Sequence, residues 1–225
     1  MIPAAVLFDM DGTLIDSEPY WLEAETELMA KFGYAWTKED QATCLGGPLD
    51  RVGRYMSELA GEVEDWQFFT NSLVEGVTSK FLNGLTFVPG AREMLLEIKE
   101  REIPLALVSA SPRVLVDAAL ALAPKNIFLT SVSNNEVTRS KPDPEGYLLA
   151  ATLLGVDIED CLVLEDSKTG VSAGLASGAH VLAIPHLVEI SPDPHLRILP
   201  TLKDRNFDDV LLLFSDSPSF GRSMQ

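Results

Sequence analysis

Three short segments of the chain are apolar at every position, and each of them ends abruptly in polar residues. A strand without alternation of apolar and polar side chains is typical of a parallel sheet that is buried on both faces. We therefore predict three central strands, Ala4–Phe8, Pro104–Val108 and Cys161–Leu164. The polar residues that directly follow them are Asp9, Ser109 and Glu165, respectively.

Helical patterns, in which apolar residues recur every three or four positions, separate these strands and follow the last of them. The alternation of strand and helix predicts right-handed βαβ units, and hence an α/β fold with a doubly wound, Rossmann-like parallel sheet. Ligands of such sheets bind beyond the carboxyl ends of the strands. The predicted helices are Ala91–Arg101, Arg113–Ala123, Glu145–Leu154, Gly170–Ser177 and Phe207–Phe214, and two shorter strands are predicted at Ile127–Thr130 and Val181–Ile184.

Residues 15–86 interrupt this alternation, because they contain only helical patterns. The predicted helices begin near Ser17, Thr37, Leu49 and Glu64. We therefore expect an all-helical cap domain of residues 15–86, inserted into a catalytic core that consists of residues 1–14 and 87–225. An insertion directly after the first strand is expected to act as a lid over the carboxyl edge of the sheet.

Composition and charge exclude several classes of function. The 34 acidic and 17 basic side chains leave a formal charge of −17, which repels a polyanion, so no nucleic-acid partner is expected. No apolar run is long enough to span a bilayer and no secretory signal is evident, so no membrane partner is expected. Cys44 and Cys161 lie far apart, which favours a reducing cytoplasm. The histidines His180, His186 and His195 lack the helical spacing of zinc ligands.

The segment Asp9-Met10-Asp11-Gly12-Thr13 is the most informative part of the chain. Two carboxylates that leave a buried strand two residues apart repel each other unless a cation is near. Mg²⁺ is the expected cation, because it takes oxygen ligands and commonly bridges a carboxylate and a phosphate. One carboxylate can then attack while the other transfers protons. An ordinary turn after the strand is the alternative, whereas an EF-hand loop does not fit because Gly12 comes too early.

Further polar residues follow the other predicted strands and should reach the same edge of the sheet. Ser109 offers a hydroxyl, and the amides after it offer anion donors at the start of a helix. Lys141, which is followed by Pro142 and Pro144, can neutralise a phosphoryl oxygen. Considered singly, such a serine is usually a helix cap and such a lysine is usually solvated. Together with the acidic pair Glu165-Asp166, they predict a phosphate site.

These segments resemble, in order, the motifs of the haloacid dehalogenase superfamily. The resemblance is to the subgroup with a helical cap after the first strand, which includes β-phosphoglucomutase and related sugar-phosphate phosphatases. It spans roughly residues 4 to 190, and its motifs are Asp9-x-Asp11-Gly12-Thr13, Ser109, Lys141-Pro142, and Glu165-Asp166 followed by Gly170.

The resemblance implies a role for each of these residues. Asp9 would attack phosphorus to form an aspartyl-phosphate, and Asp11 would protonate the leaving oxygen and then deprotonate the hydrolytic water. The groups implied to bind the phosphoryl oxygens are Ser109, the amide of Ala110 and Lys141. The implied Mg²⁺ ligands are the Asp9 carboxylate, the Asp11 backbone carbonyl and Asp166, with Glu165 in support.

The function expected from these features is Mg²⁺-dependent hydrolysis of a small, sugar-phosphate-like monoester by a protein that acts as a monomer. Substrate choice is expected to lie with the cap residues Trp21, Leu45, Gly46 and Arg51. A phosphosugar mutase is one alternative, although this chain has Trp21, Leu45 and Leu49 where the mutases of this family place a histidine, a lysine and an arginine. A catalytically silent binding protein is the alternative of another class.

Overall fold

The computed structural model describes residues 2–185, 193 and 196–215. Within these residues, the strands are β1 (Ala5–Phe8), β2 (Leu105–Val108), β3 (Thr130–Val132), β4 (Cys161–Glu165), β5 (His180–Ala183) and β6 (Leu196–Ile198). They form one parallel sheet in the order β3-β2-β1-β4-β5-β6. The predicted α/β fold with a doubly wound, Rossmann-like parallel sheet is confirmed.

The three predicted central strands lie at the centre of this sheet. Every residue of β1, β2 and β4 is buried, which is why these strands are apolar apart from Glu165 at the end of β4. Phe8 at the end of β1 pairs with Leu107 of β2 and with Leu164 of β4. The register therefore brings the residues that follow these strands to one level at the carboxyl edge.

The helices of the described residues are α1 (Glu18–Ala30), α2 (Lys38–Cys44), α3 (Leu49–Leu59), α4 (Trp66–Leu82), α5 (Ala91–Glu100), α6 (Arg113–Leu122), α7 (Glu145–Leu154), α8 (Lys168–Ser177) and α9 (Phe207–Leu213). Alternate strand residues such as Leu7 and Val163 share one buried cluster with Tyr147 of α7 and Val171 of α8. Burial of this face holds α7 and α8 against the sheet. None of the described helices combines the length and the apolar character that crossing a bilayer requires.

Gly174 allows α8 to lie unusually close to the sheet. A Cβ at this position would be 2.9 Å from Cγ2 of Val181 and 3.2 Å from Cγ1 of Val163. Any larger residue would have to push the helix away from β4 and β5.

The chain divides into two compact units. One consists of Met1–Asp16 and Thr86–Gln225, and the other consists of Ser17–Leu85. The segments on either side of the second unit are hydrogen-bonded to each other, from the Asp16 amide to the Thr86 carbonyl at 2.9 Å and from the Val88 amide to the Leu14 carbonyl at 3.0 Å. The chain therefore leaves and re-enters the first unit at one place.

The second unit contains α1 to α4. Its interior includes apolar side chains from α1, α3 and α4, with Tyr20 and Phe81 in an edge-to-face contact at 5.4 Å. Thr37 begins α2 with a complete capping box to Asp40. Ser17 occupies the N-cap position of α1, but its side chain makes no capping hydrogen bond to the described residues, and α1 ends at Ala30.

Two features of the sheet differ from the sequence prediction. The strand predicted at Ile127–Thr130 lies later, because β3 begins only at Thr130. Leu129 is 70% exposed, so it belongs to the loop before the strand. The edge strand β6 was not predicted, since Arg197 at its centre interrupts an already short apolar segment.

Candidate active site

The ends of β1, β2 and β4 bring the polar residues of the sequence motifs together. Asp9, Ser109 and Glu165 are each less than one-tenth exposed, although their side chains are polar. Burying so many polar groups in one place is costly unless they are paired or bind a ligand. Their contacts with one another and with Lys141 therefore define what the site can do.

Lys141 is the central cation of this site. Its Nζ lies 2.5 Å from Asp9 Oδ1, 2.6 Å from Glu165 Oε1 and 3.0 Å from the carbonyl oxygen of Val108. Burial opposes its charge, but the carboxylates of Asp9 and Glu165 raise the pKa of Lys141 above its ordinary value. The ammonium is therefore charged and held at the carboxyl edge of the sheet.

Glu165 is fully buried, and both of its carboxylate oxygens accept hydrogen bonds. Lys141 Nζ and the Tyr147 hydroxyl, at 2.7 Å, donate to Oε1. The amides of Asp166 and Ser167 and the Ser167 hydroxyl donate to Oε2 at 3.1, 3.3 and 3.2 Å. Because a carboxylate has about four acceptor positions, Glu165 is suited to supporting its neighbours rather than to binding a further ligand.

Asp9, Glu165 and Asp166 form an acidic cluster in which one carboxylate oxygen of each residue lies within 4.8 Å of the corresponding oxygens of the other two. Burial, followed by the charges of neighbouring carboxylates, raises the pKa of Asp9 and of Asp166 well above the ordinary aspartate value. Oδ2 of Asp9 is buried and has no hydrogen-bond partner among the residues that the structure describes. An oxygen in this state is suited to a cation or an electrophile.

Gly12 provides the space for one member of this cluster. It has a φ of +84°, and a Cβ at this position would collide with the carboxylate of Asp166. A glycine is therefore required here both for the turn after β1 and for the position of Asp166.

Asp11 is held through only one of its carboxylate oxygens. Its Oδ2 accepts hydrogen bonds from the hydroxyls of Ser109 at 3.1 Å and Ser111 at 2.8 Å. Its Oδ1 is buried and unpaired within the described part of the chain. One oxygen is thus fixed and the other is available.

The loop after β2 lies directly before the N-terminus of α6. It leads from Ser109 through the exposed Ala110 to α6, which begins at Arg113. The Ser111 amide donates to Ser109 Oγ at 2.9 Å, and the Ser111 carbonyl accepts from the Asn134 amide at 3.1 Å. The loop is therefore fixed on both sides in front of a helix N-terminus.

The structure adds two residues to those expected from the sequence. Ser111 contacts Asp11, and Tyr147 donates to Glu165 while its ring centroid lies 5.0 Å from Lys141 Nζ. Burial raises the pKa of Tyr147 far above its ordinary value, so its hydroxyl stays protonated as a donor. In the sequence, Tyr147 is an apolar-face residue of a predicted helix, and nothing in that pattern points to this contact.

The residues expected to choose the substrate belong to the other compact unit. Trp21 is in α1, Leu45 and Gly46 follow α2, and Arg51 of α3 donates from Nη2 to the Thr43 carbonyl at 3.0 Å. Their role in substrate choice stays a prediction.

The histidines and cysteines are not part of the described site. His180 is buried in β5 with its ring 5.7 Å from that of Phe214, whereas His186 and His195 lie outside the described residues. Cys44 and Cys161 are buried and free, and burial raises the pKa of both thiols to about 12. Neither thiol is activated as a nucleophile.

Residues 6–184 match the family model of the haloacid dehalogenase-like hydrolases. The chain belongs to this family. A phosphorylated carbohydrates phosphatase of Thermotoga maritima is 35% identical over 77% of this chain and 81% of its own length. Hexitol phosphatase A of Escherichia coli is 32% identical over 91% of this chain and 97% of its own length. The chain spans 49% of the length of a bifunctional riboflavin kinase/FMN phosphatase of Arabidopsis thaliana.

Solved structures share the fold of this chain. CbbY of Rhodobacter sphaeroides in complex with phosphate superposes with a TM-score of 0.77 at 23% identity, covering 92% of this chain and 98% of that protein. The predicted superfamily and the predicted enzyme class, a phosphoric monoester hydrolase, are confirmed by the family match and by the phosphatases among the relatives.

Proposed function

We propose that this hydrolase removes phosphate from a small phosphorylated carbohydrate or polyol in two steps, with Mg²⁺ bound in the acidic cluster. Phosphatases of phosphorylated carbohydrates and of hexitols are among the relatives that match most of this chain. The observation that carries the residue assignment is the buried, unpaired Oδ2 of Asp9 beside the charged Lys141.

In the first step, Asp9 Oδ2 attacks phosphorus while the bond from phosphorus to the leaving oxygen breaks. The unpaired Oδ1 of Asp11 carries the proton that the leaving oxygen takes, so that an alcohol departs. In the second step, Asp11 accepts a proton from the attacking water, and the bond between phosphorus and Asp9 breaks. Splitting the displacement in this way returns both carboxyl groups to their starting states.

The phosphoryl oxygens are held by Ser109, the amide of Ala110 and Lys141. Ser109 and Ala110 belong to the fixed loop before α6, where helix amides favour an anion. Lys141 supplies a full positive charge close to the attacking carboxylate. Phosphoryl transfer depends mainly on such positioning and charge neutralisation.

The site residues fit a magnesium ion. Asp9, Asp11, Glu165 and Asp166 contribute four carboxyl groups against the single ammonium of Lys141, and an oxygen of Asp9 lacks a partner in the described residues. The ligands would be the carboxylates of Asp9 and Asp166 and the backbone carbonyl of Asp11. Glu165 would keep Asp166 in place through the Asp166 amide. Bound Mg²⁺ would neutralise charge on the phosphoryl group.

The proposal also assigns a role to residues of the second compact unit. We assign residues 15–86 as the cap and Trp21, Leu45, Gly46 and Arg51 as the residues that select the organic part of the ester. The partner is a small-molecule phosphate ester, and the formal charge of −17 disfavours polyanionic partners. A cytoplasmic monomer stays our expectation for location and assembly.

The test is inorganic phosphate release with Mg²⁺ or EDTA over a panel of sugar phosphates, hexitol phosphates, nucleotides and small acid phosphates. Asp9→Asn should lower turnover at least roughly 1,000-fold, because the amide cannot act as the nucleophile. The matched control is Asp204→Asn, a change of the same type at an exposed position with a φ of 59°, which asparagine tolerates. It should retain wild-type turnover.

Two outcomes would contradict the proposal. Substantial activity of Asp9→Asn would exclude Asp9 as the nucleophile. Conversion of sugar phosphates without release of inorganic phosphate, and only with a bisphosphate activator, would identify a mutase instead.

A further inference from the structure

The hydroxyl groups of Ser109 and Ser111 donate to the same carboxylate oxygen in this structure. Both donate to Oδ2 of Asp11, at 3.1 Å and 2.8 Å. A serine hydroxyl carries a single hydrogen and can donate to one acceptor at a time. To donate to any other acceptor, Ser109 must therefore first release Asp11.

The proposed function requires this exchange of partners. If Ser109 donates to a phosphoryl oxygen, its hydrogen bond to Asp11 is lost at the moment when substrate is bound. Its oxygen can still accept from the Ser111 amide, so the loop need not change when the hydroxyl hydrogen turns. Ser111 then provides the remaining hydroxyl contact to Asp11 among the hydrogen bonds of the described residues.

Ser111 is placed to keep that contact. Its amide is bonded to Ser109 Oγ and its carbonyl accepts from Asn134, so its backbone is fixed at both ends. The Ser111 hydroxyl makes the shorter of the two bonds to Asp11 Oδ2. Because Oδ2 of Asp11 accepts these hydrogen bonds, the unpaired Oδ1 is the oxygen that can transfer a proton.

We propose that Ser111 is a positioning residue that holds Oδ2 of Asp11 while Ser109 transfers its hydroxyl from Asp11 to the phosphoryl group. The inference rests on the proposed function, since it concerns how Asp11 protonates the leaving group. Ser111 touches neither reacting atom. Its contribution is to keep Oδ1 directed at the leaving oxygen after the first hydroxyl has been withdrawn.

The proposal predicts a dependence on the leaving group. An alkyl phosphate needs a proton on its leaving oxygen, whereas p-nitrophenyl phosphate releases a stabilised anion that needs little protonation. In Ser111→Ala, the single-turnover rate of enzyme phosphorylation should fall roughly 10- to 100-fold for the best alkyl ester of the panel. For p-nitrophenyl phosphate the rate should fall less than about 3-fold, and KM should change little for both.

Matched variants separate positioning from structure and from phosphate binding. Ser111→Thr keeps the hydroxyl and should restore the wild-type ratio of the two rates, and Ser111→Cys, a weak donor, should lie between. Ser109→Ala should instead weaken inhibition by inorganic phosphate and raise KM for both esters. Thermal unfolding of each variant checks that it folds. If the alanine variant does not fold, the comparison of the threonine and cysteine variants with wild type still tests the proposal.

Three results would overturn the inference. These are equal losses for the two esters in Ser111→Ala, a loss confined to KM, and a threonine variant no better than alanine. Failure of the proposed function is distinct, because wild-type protein would then release no phosphate from any ester, and the inference would fall with it.

Discussion

Glu25 of α1 is a carboxyl group buried inside the helical unit Ser17–Leu85, where it is 6% exposed. Its Oε2 accepts a hydrogen bond from Trp36 Nε1 at 3.1 Å. Burial raises its pKa from 4.5 to about 7, with the Trp36 hydrogen bond opposing and the charge of Glu18 adding to the shift. The folded protein therefore keeps a proton on Glu25 at a pH where the unfolded chain has lost it.

This group should make stability fall as the pH rises. Its contribution is complete below pH 4.5, decreases between pH 4.5 and about 7, and is absent above that range, because the folded state binds the additional proton. The free energy of unfolding should decrease by up to about 3 kcal/mol across this interval. Glu25→Gln, which still accepts from Trp36, should match wild type near pH 4.5 and exceed it at pH 8 in urea unfolding.

The control for this experiment is Glu23→Gln, an exposed glutamate of the same helix whose ion pair with Lys80 is 3.1 Å long. Such surface pairs contribute little, so the difference from wild type should stay under about 1 kcal/mol at every pH. If the difference in the free energy of unfolding between Glu25→Gln and wild type does not grow with pH, the buried carboxyl is not the source of the pH dependence.

The charged residues of the site could be predicted from the sequence, whereas the residues that hydrogen-bond to them could not. Asp9 and Lys141 could be predicted because they occur in order with Ser109 and Glu165-Asp166, whereas either residue alone has an ordinary structural explanation. Ser111 resembles an ordinary helix-capping serine, and Tyr147 resembles a core residue. Their contacts to Asp11 and Glu165 join positions about 100 and 18 residues apart, which no local pattern encodes.

At the level of elements, the position of α8 against the sheet depends on Gly174, which has no side chain. Gly174→Val would put its Cβ within 2.9 Å of Val181 and add two methyl groups beyond it. We expect a loss of about 2–3 kcal/mol in the free energy of unfolding, since a packed interface cannot absorb this volume. Chemical unfolding measures it.

The matched control is Ala176→Val, which introduces the same residue at an exposed position of the same helix. It should cost under about 1 kcal/mol, mainly through the lower helix propensity of valine. Equal losses for the two variants would mean that contact with the sheet does not limit the size of residue 174, because valine has a higher helix propensity than glycine.

Strands that are buried on both faces were predictable, and edge strands were not. In β1, β2 and β4 every side chain is buried, so the apolar runs coincide closely with the strands. In β3 only Val132 is buried, and β6 is three residues long with a half-buried arginine. At the edge of the sheet, a strand is positioned by backbone pairing with one neighbouring strand. This pairing does not require a particular pattern of apolar and polar side chains, so the sequence does not reveal it.

For the whole molecule, the formal charge of −17 attracts cations in general, and the acidic cluster should bind one of them specifically. Saturating Mg²⁺ should raise the free energy of unfolding by roughly 1–3 kcal/mol, because the unfolded chain lacks the assembled site. Thermal unfolding in MgCl₂, compared with EDTA in NaCl of equal ionic strength, measures this specific part.

Asp166→Asn should lose most of that increment, whereas Asp204→Asn should retain it. The first removes a carboxylate from the cluster, and the second removes the same charge from an exposed site. An increment that is equal in both variants would indicate general screening of the net charge.

The strand order also determines when the site can form during synthesis. The helical unit Ser17–Leu85 is continuous in sequence, so all of it leaves the ribosome early. The neighbours of β1 emerge later, and β4 follows about 155 residues after it, which at cellular translation rates is a delay of roughly 10–30 s. The nascent chain must therefore keep one edge of its first strand, with Asp9 at the end of that strand, without its β4 neighbour until β4 has been made, although β2 is made earlier.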